Sequence, residues 1–367
     1  MVDFLHNFPI IYYAFIVVFS ILITSLAIPS ILHVARSRHL YDDLGHFRKS
    51  HDHGIPRLGG VAIFVSFTIT SLLFCVTDKS LPINYLLTAC IILFAMGLKD
   101  DLAGVNSSTK FLIQFIACSI LVTLGDIRIA NMYGVFGIFQ LSYLVSVGLS
   151  IFVILLVINA FNLIDGIDGL AATTGIIANG TFGALFIYIK QYELAAVSFA
   201  MAGAVIGFLR FNITPAKIFM GDTGSLLIGL ISAVMALKFM EVNNGATSGS
   251  IVLSSVPSLV LAVLIGPIFD TIRVFILRIS NGTSPFTADR NHIHHRMLRL
   301  GFNHLQTTII LTSINILSIA MVLLFKNYGE SILITLIVLV SLVFNWMITF
   351  FLRSKERENL ALRNLFV

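Results

Sequence analysis

The stretch SIFVILLVINAFNLIDGIDGLA, residues 150–171, joins two kinds of chemistry end to end. Ser150 to Ile158 carry no charge and read as the last turns of a continuous apolar segment. Two asparagines, two aspartates and two glycines then fall within the eleven positions from Asn159 to Gly169. Leu170 and Ala171 open the next apolar run. A half-buried strand would alternate apolar and polar residues, and a spanning barrel strand would do the same. An unbroken apolar run marks a helix in a fully apolar environment.

The pattern recurs along the whole chain. Of 367 residues 57% are apolar and 11% are charged, with a mean hydropathy of +0.96. A soluble domain carries about 25% charged residues. Apolar windows of the length that crosses roughly 30 Å of hydrocarbon predict eleven spans, at about 9–29, 58–76, 82–98, 110–125, 141–160, 169–189, 194–210, 223–239, 251–277, 306–325 and 331–352. Several are short or adjoin their neighbours, so ten is also compatible. The expected fold class is all-α: a polytopic membrane protein with residues 1–352 as one integral domain. The basic tail, RSKERENLALRNLFV at 353–367, is expected to lie on the membrane surface as an amphipathic helix. The N-terminal MVDFLHNFPI lacks the basic start of a cleavable signal peptide. Cys75, Cys90 and Cys118 fall inside spans and read as small buried hydrophobes.

Lysine and arginine set the orientation. With the N-terminus outside, 18 of these residues lie in inner loops, inner span ends or the tail, against five outside. This predicts an outside N-terminus and a cytoplasmic C-terminus. The +5 net charge then reports membrane orientation, and it makes no case for nucleic acid.

Five stretches carry residues able to do chemistry: HDHGIPRLGG (51–60), GLKDDLAG (97–104), NAFNLIDGIDGLA (159–171), NITPAKIFMGDTGS (212–225) and SPFTADRNHIHHRM (284–297). All five fall on the predicted cytoplasmic side, and the outer loops read as short and bland. Asp100 and Asp101 are neighbours, about 100° apart on a helix, so they cannot easily share one task. Asp165 and Asp168, spaced i, i+3, would share a face if the next helix begins there. Asp222 sits between Gly221 and Gly224, where backbone can approach a ligand. Short oxygen ligands beside glycine turns suit Mg²⁺ holding a pyrophosphate. An isolated aspartate at a span end is ordinarily a cap or an interfacial anchor, but three clusters on one side exceed that need. Asp270, within the ninth span beside Arg273, reads as half of a structural ion pair. The histidines His292, His294 and His295 lack the Glu and the i, i+4 spacing of a zinc protease motif. Beside arginines they suit phosphate contacts or proton transfer.

KDD, NAFNLIDGIDGLA, NITPAKIFMGDTGS and DRNHIHH, in this order, resemble the polyprenyl-phosphate N-acetylhexosamine-1-phosphate transferases over roughly residues 45–305. The MurNAc-pentapeptide branch shares most of these motifs, but its histidine loop reads as three consecutive histidines followed by Phe-Glu. DRNHIHH is similar instead to the undecaprenyl-phosphate GlcNAc-1-phosphate transferase branch, which starts O-antigen, enterobacterial common antigen and teichoic-acid linkage units. The resemblance implies transfer of N-acetylhexosamine-1-phosphate, GlcNAc-1-phosphate by preference, from a UDP-sugar to undecaprenyl phosphate with release of UMP. It implies a Mg²⁺ requirement, with Mn²⁺ as the alternative cation, and an inner-membrane protein with its site on the cytoplasmic face; a homodimer is left open. It puts Asp222 on the metal, Asp100 as base on the lipid phosphate and Asp101 in support. Asn159, Asn162, Asp165 and Asp168 would line the nucleotide and metal site, and Arg278, His292, His294 and His295 would face the pyrophosphate or sugar. Arg57, in IPRLGG, receives no role.

Physical chemistry runs in parallel. An anionic lipid phosphate must attack a phosphorus already ringed by anionic oxygens, so charge neutralisation and in-line positioning supply most of the catalysis. Asp100, crowded by Asp101, is expected to accept the last phosphate proton. A covalent aspartyl-phosphate route is a chemical alternative, with more parts. An ion-coupled transporter would also use glycines and buried aspartates, but near the bilayer centre.

Overall fold

Each of the eleven predicted spans is a helix in the computed structural model, which describes residues 9–40, 54–75, 81–244, 254–283 and 291–355. In chain order these are α1 (Pro9–Ser37), α2 (Gly59–Phe74), α3 (Ile83–Ala103), α4 (Ser107–Ser119, continued by a π turn Ile120–Leu124), α5 (Tyr143–Ile164), α6 (Leu170–Tyr188), α7 (Tyr192–Asn212), α8 (Gly221–Asn244) and α9 (Val256–Ser280). A short α10 (Ile293–Leu300) follows, then α11 (His304–Leu324) and α12 (Glu330–Lys355). Among the described residues nine helices are long and apolar enough to cross a membrane, while α2 has 16 residues. The chain is a multi-pass, all-α membrane protein.

Three details differ from the sequence reading. First, α3 runs to Ala103 and carries Lys99, Asp100 and Asp101 in its last turns. Second, α12 continues to Lys355, so the first three residues of the expected tail are helical; residues 356–367 lie outside the described residues. Third, the loop between α4 and α5 holds an antiparallel hairpin, β1 (Asn131–Val135) with β2 (Ile138–Gln140). Its turn takes Phe136 and Gly137 to φ 49° and 82°, the conformation that matches strand twist in a two-residue hairpin. Strands of five and three residues are too short to show an alternation.

A helix that is hydrophobic all round belongs in an interior, and α8 is one. Leu226, Leu227, Leu230, Ile231, Val234 and Phe239 are fully covered. Helices α2, α3, α5, α6, α7 and α9 all pack against it. Between apolar helices in lipid there is little hydrophobic drive, so association depends on close packing and on small residues that let backbones meet. At the start of α8 that approach is extreme. A Cβ on Gly60 would stand 2.1 Å from the Gly224 amide nitrogen, and one on Gly224 would stand 2.9 Å from the Gly60 Cα. The chain alternates direction, so the ends of α3, α5, α7 and α9 and the starts of α4, α6, α8 and α11 meet at one end of the bundle. That end carries the polar motifs.

Gly60→Ala is therefore expected to lower the thermal midpoint of the purified protein by about 2–4 °C, since overpacking costs about 1–3 kcal/mol even where neighbours can shift. Gly148→Ala, with open space around its Cα, should leave the midpoint within about 1 °C. Equal midpoints for both variants would contradict the close contact.

Candidate active site

The first turn of α8 needs acceptors for its free amides, and Asp101 supplies them from another helix. Its carboxylate accepts the backbone N–H of Asp222 at 2.7 Å, the backbone N–H of Thr223 at 3.0 Å and the Thr223 hydroxyl at 2.6 Å. Gly221, at φ +72°, has no room for a side chain: a Cβ would meet the Asp101 carboxylate at 2.6 Å and the Arg57 carbonyl at 2.5 Å. The IPRLGG strip is stitched to the residues leading into α8. Phe219 N–H donates to Pro56 O at 2.8 Å, Gly59 N–H to Phe219 O at 3.0 Å and Gly60 N–H to Met220 O at 2.8 Å.

One cation collects the remaining acidic groups. The Lys110 ammonium, at the start of α4, donates to Asp100 Oδ2 at 3.3 Å, to Asn162 Oδ1 at 3.4 Å and to Asp222 Oδ2. Asn162 also donates to Asp222 Oδ1 at 2.8 Å and to Ser225 Oγ at 3.0 Å. Asp100 further accepts the Val105 N–H at 2.6 Å. Asp100 and Asp101 thus point to different partners, one to a cation and one to a helix terminus. Oxygens from α3, α5 and α8 converge on one positive charge, and the ammonium marks where a hard cation finds oxygen donors. No group of three or more His, Cys, Asp or Glu side chains forms a protein-only metal cage among the described residues. A metal held here would take one or two of these carboxylates and be completed by substrate phosphates.

Beside this hub lies a cavity of about 330 Å³, walled by Arg57, Asp101, Asn162, Asp165, Asp168 and Asp222, with His304 at its edge. Asp165 and Asp168 share it as members of a turn rather than as one helical face, because α6 starts only at Leu170. The turn is clamped from two sides. Gly169 N–H donates to Asn212 Oδ1 at 2.9 Å, and Asn212 donates to Ile218 O at 3.0 Å. Ala216 N–H donates to Asp168 Oδ2 at 3.3 Å, and the Thr308 hydroxyl to Asp168 O at 3.2 Å. Burial pushes the Asp165 carboxyl well above the ordinary carboxylate range; the charge of Asp101 adds to this, and Arg57 opposes it.

The histidines form a second group. His292 and His294 stack with ring centroids 5.7 Å apart, and His295 lies 4.2 Å from His294. Burial, with His295 beside it, lowers His294 to about 3, so its ring is neutral at physiological pH. The two groups meet at Gly166, where a Cβ would stand 2.5 Å from His294 Nε2. Two expected residues stand elsewhere. Asn159 donates to Gln114 Oε1 and to Leu155 O, both at 2.8 Å; it joins α5 to α4 and is not in the cavity wall. Arg278 is buried in the last turn of α9 with its guanidinium 6.0 Å from the Phe275 ring centre, also outside that wall.

Sequence reasoning assigned no chemistry to Lys110, Asn212, Thr223 or His304, and no role to Arg57. Lys110 carried one available signal: a lysine in the short link after KDD, beside the most acidic end of two spans. His304 carried none, since it follows HIHH only after an intervening helix.

With the geometry in place, comparison with known proteins identifies the relationship. The family described as glycosyl transferase family 4 matches residues 83–240, which contain the hub and most of the cavity wall. Decaprenyl-phosphate N-acetylglucosaminephosphotransferase of Mycolicibacterium smegmatis is 32% identical over 287 residues, 72% of this chain and 70% of its own. The probable undecaprenyl-phosphate N-acetylglucosaminyl 1-phosphate transferase of Bacillus subtilis is 32% identical over 265 residues, 72% of this chain and 71% of its own. Undecaprenyl-phosphate alpha-N-acetylglucosaminyl 1-phosphate transferase of Escherichia coli K12 is 30% identical over 277 residues, 74% of this chain and 72% of its own. At these identities, over more than two thirds of its length, the chain belongs to glycosyl transferase family 4.

Proposed function

We propose that the protein transfers GlcNAc-1-phosphate from UDP-GlcNAc to a polyprenyl phosphate, undecaprenyl phosphate in the first instance, and releases UMP. The observation that carries this reading is the convergence of Asp100, Asn162 and Asp222 on one cation, beside a cavity of about 330 Å³ at one end of an apolar bundle. A water-soluble donor and a lipid acceptor can meet only where the spans end. The relatives' names fit the same chemistry.

In the reaction, an oxygen of the carrier phosphate forms a bond to the sugar-bearing phosphorus of the donor. The bond from that phosphorus to the bridging oxygen breaks, and the electron pair leaves with UMP. Mg²⁺, held through Asp222 and Asn162, would supply neutralising charge on the pyrophosphate, with Mn²⁺ as a substitute. Lys110 is a second cation at the same point, free to turn from the carboxylates to phosphate oxygens once a metal takes its place. Asp100 borders the hub opposite Asp222, and any proton left on the carrier phosphate passes to it. Asp101 holds the start of α8, and so holds Asp222 in place. Arg57 and the turn from Asp165 to Asp168 line the space for the donor. The lysine and arginine distribution, 18 against five, supports a cytoplasmic position for this end, on the side of an inner membrane where UDP-sugars are made.

Purified protein given radiolabelled UDP-GlcNAc, undecaprenyl phosphate and Mg²⁺ should move label into butanol-extractable lipid with one UMP released per sugar. EDTA should abolish the transfer, and Asp222→Asn should lower it by at least about 100-fold, the scale of losing one preorganised electrostatic group. No UMP from any UDP-N-acetylhexosamine, with folded protein, would overturn the reading.

A second comparison separates the neighbouring aspartates. Asp100→Asn should lower kcat by about 100-fold or more and leave the thermal midpoint near that of the parent. Asp101→Asn should lower both, because it weakens the hydrogen bonds that start α8. Thr223→Val, losing one of those bonds at about 1 kcal/mol, should keep activity within about tenfold. Equal thermal midpoints for the two aspartate variants would contradict the division of labour.

A further inference from the structure

Asp270 lies inside α9, 3% exposed, and belongs to neither the hub nor the cavity wall. The sequence paired it with Arg273, and that contact is present at 3.0 Å. It is the smaller part of what the carboxylate does. Asp270 Oδ1 also accepts the Ile293 backbone N–H at 3.0 Å, and Oδ2 faces His292 Nδ1 at 2.9 Å. Opposite a carboxylate, Nδ1 carries the proton and donates. Arg273 reaches past Asp270 to donate to the Asn291 carbonyl. Three consecutive residues, Asn291 to Ile293, are thus tied to one turn of α9.

This solves a local problem for α10. His292 stands at its N-cap position and makes no capping hydrogen bond with its own side chain. Asp270 caps the helix from outside, at the end where negative charge is favoured. The other contacts of α10 go to α12 and, more lightly, to α11. Arg296 donates to Asn345 Oδ1 at 2.7 Å and to the Thr349 hydroxyl, and Lys355 donates to Arg299 O at 2.9 Å and Leu300 O at 3.1 Å. Ile293 and Met297 pack on Ile348 and Leu352. An eight-residue helix is too short to hold itself; α9 sets its start, and α12 with α11 holds the rest.

What the arrangement positions is His294, one residue past the Asp270-bound amide. His294 is 1% exposed, and its Nε2 has no hydrogen-bond partner among the described residues. That atom rests against Gly166, the glycine between Asp165 and the rest of the cavity-lining turn.

We propose that Asp270 is a positioning residue for the donor: through His292 and Ile293 it fixes the start of α10, and this seats His294 against the turn that walls the donor cavity. The proposal rests on reading that cavity as the donor's site. It assigns Asp270 no contact with substrate, so the effect of its loss is selective. Asp270→Ala removes both hydrogen bonds to the histidine segment. Asp270→Asn keeps an oxygen for Ile293 N–H, and its amide can donate to the other neutral tautomer of His292. Gly166→Ala pushes on His294 from the opposite side of the same contact.

The test measures KM for UDP-GlcNAc and for undecaprenyl phosphate separately, with hydrogen exchange of the peptide spanning residues 293–300, in full-length protein. Asp270→Ala should raise donor KM about tenfold or more, keep carrier KM within about twofold and speed exchange in that peptide. Asp270→Asn should stay within about threefold of the parent in both constants. Asp270→Ala/Gly166→Ala together should be no worse than the worse single variant, because both act on one contact. Unchanged donor KM in Asp270→Ala, equal rises in both KM values, or additive effects in the double variant would overturn the proposal. Unchanged exchange in Asp270→Ala would overturn it even if the parent transferred no sugar, and that absence of transfer would count separately against the proposed reaction. If Asp270→Ala fails to fold, Gly166→Ala alone must raise donor KM selectively, and a failure to do so contradicts the account.

Discussion

A helix that starts among packed neighbours at the end of a bundle exposes backbone amides that need acceptors. In this protein the helix is α8, and its Asp222 and Thr223 amides are answered by a single carboxylate, Asp101, on α3. The rest of the site depends on that contact. It fixes where α8 begins and places Asp222 in the first turn, where the helix dipole favours negative charge by about 0.3–1 kcal/mol. It also ties α3 to α8 at the point where α4 delivers Lys110 and α5 delivers Asn162. The glycines that remove side chains between α2 and α8 serve the same end, since without them the starts of these helices could not come within backbone contact.

Two neighbouring aspartates therefore do different jobs. Asp101 turns to backbone and is part of the scaffold. Asp100 turns to Lys110 and belongs to the hub where the chemistry is proposed. The cavity divides in a similar way: one wall is a turn held by Asn212 and Thr308, and the other is the IPRLGG strip paired to Phe219 and Met220. The histidine segment is held from α9, α11 and α12, and it meets the cavity-lining turn where His294 contacts Gly166. The cavity wall draws on α3, α5, α7, α8 and α11 and on the loops between them.

Much of this was legible in the sequence. Unbroken apolar runs located every long helix, because a helix in lipid has no polar face to obscure its length. GDTGS read as a place where backbone could approach a ligand; the close approach the structure shows there is to Gly60, Arg57 and Asp101. The failures share a cause, which is distance along the chain. Asp101 and Thr223 are 122 residues apart, so nothing local marks the first as a cap for the second. Lys110 looked like a topological charge because its partners lie on three other segments. The resemblance groups Asn159 with Asn162, yet three residues of helix, about 4.5 Å along the axis, take it out of the cavity wall to Gln114. The segment α10 has eight residues, fewer than a periodicity needs to be seen.

The central claim is that Asp100, Asn162 and Asp222 form the place where a divalent cation joins the donor's phosphates. Electron paramagnetic resonance of Mn²⁺ titrated into the purified protein, with and without UDP, tests it without relying on turnover. The account predicts one bound Mn²⁺ per chain in the presence of UDP, weak or no binding without it, and loss of the bound signal in both Asp222→Asn and Asn162→Ala. Mn²⁺ binding that ignores UDP, or that survives both substitutions, would contradict it.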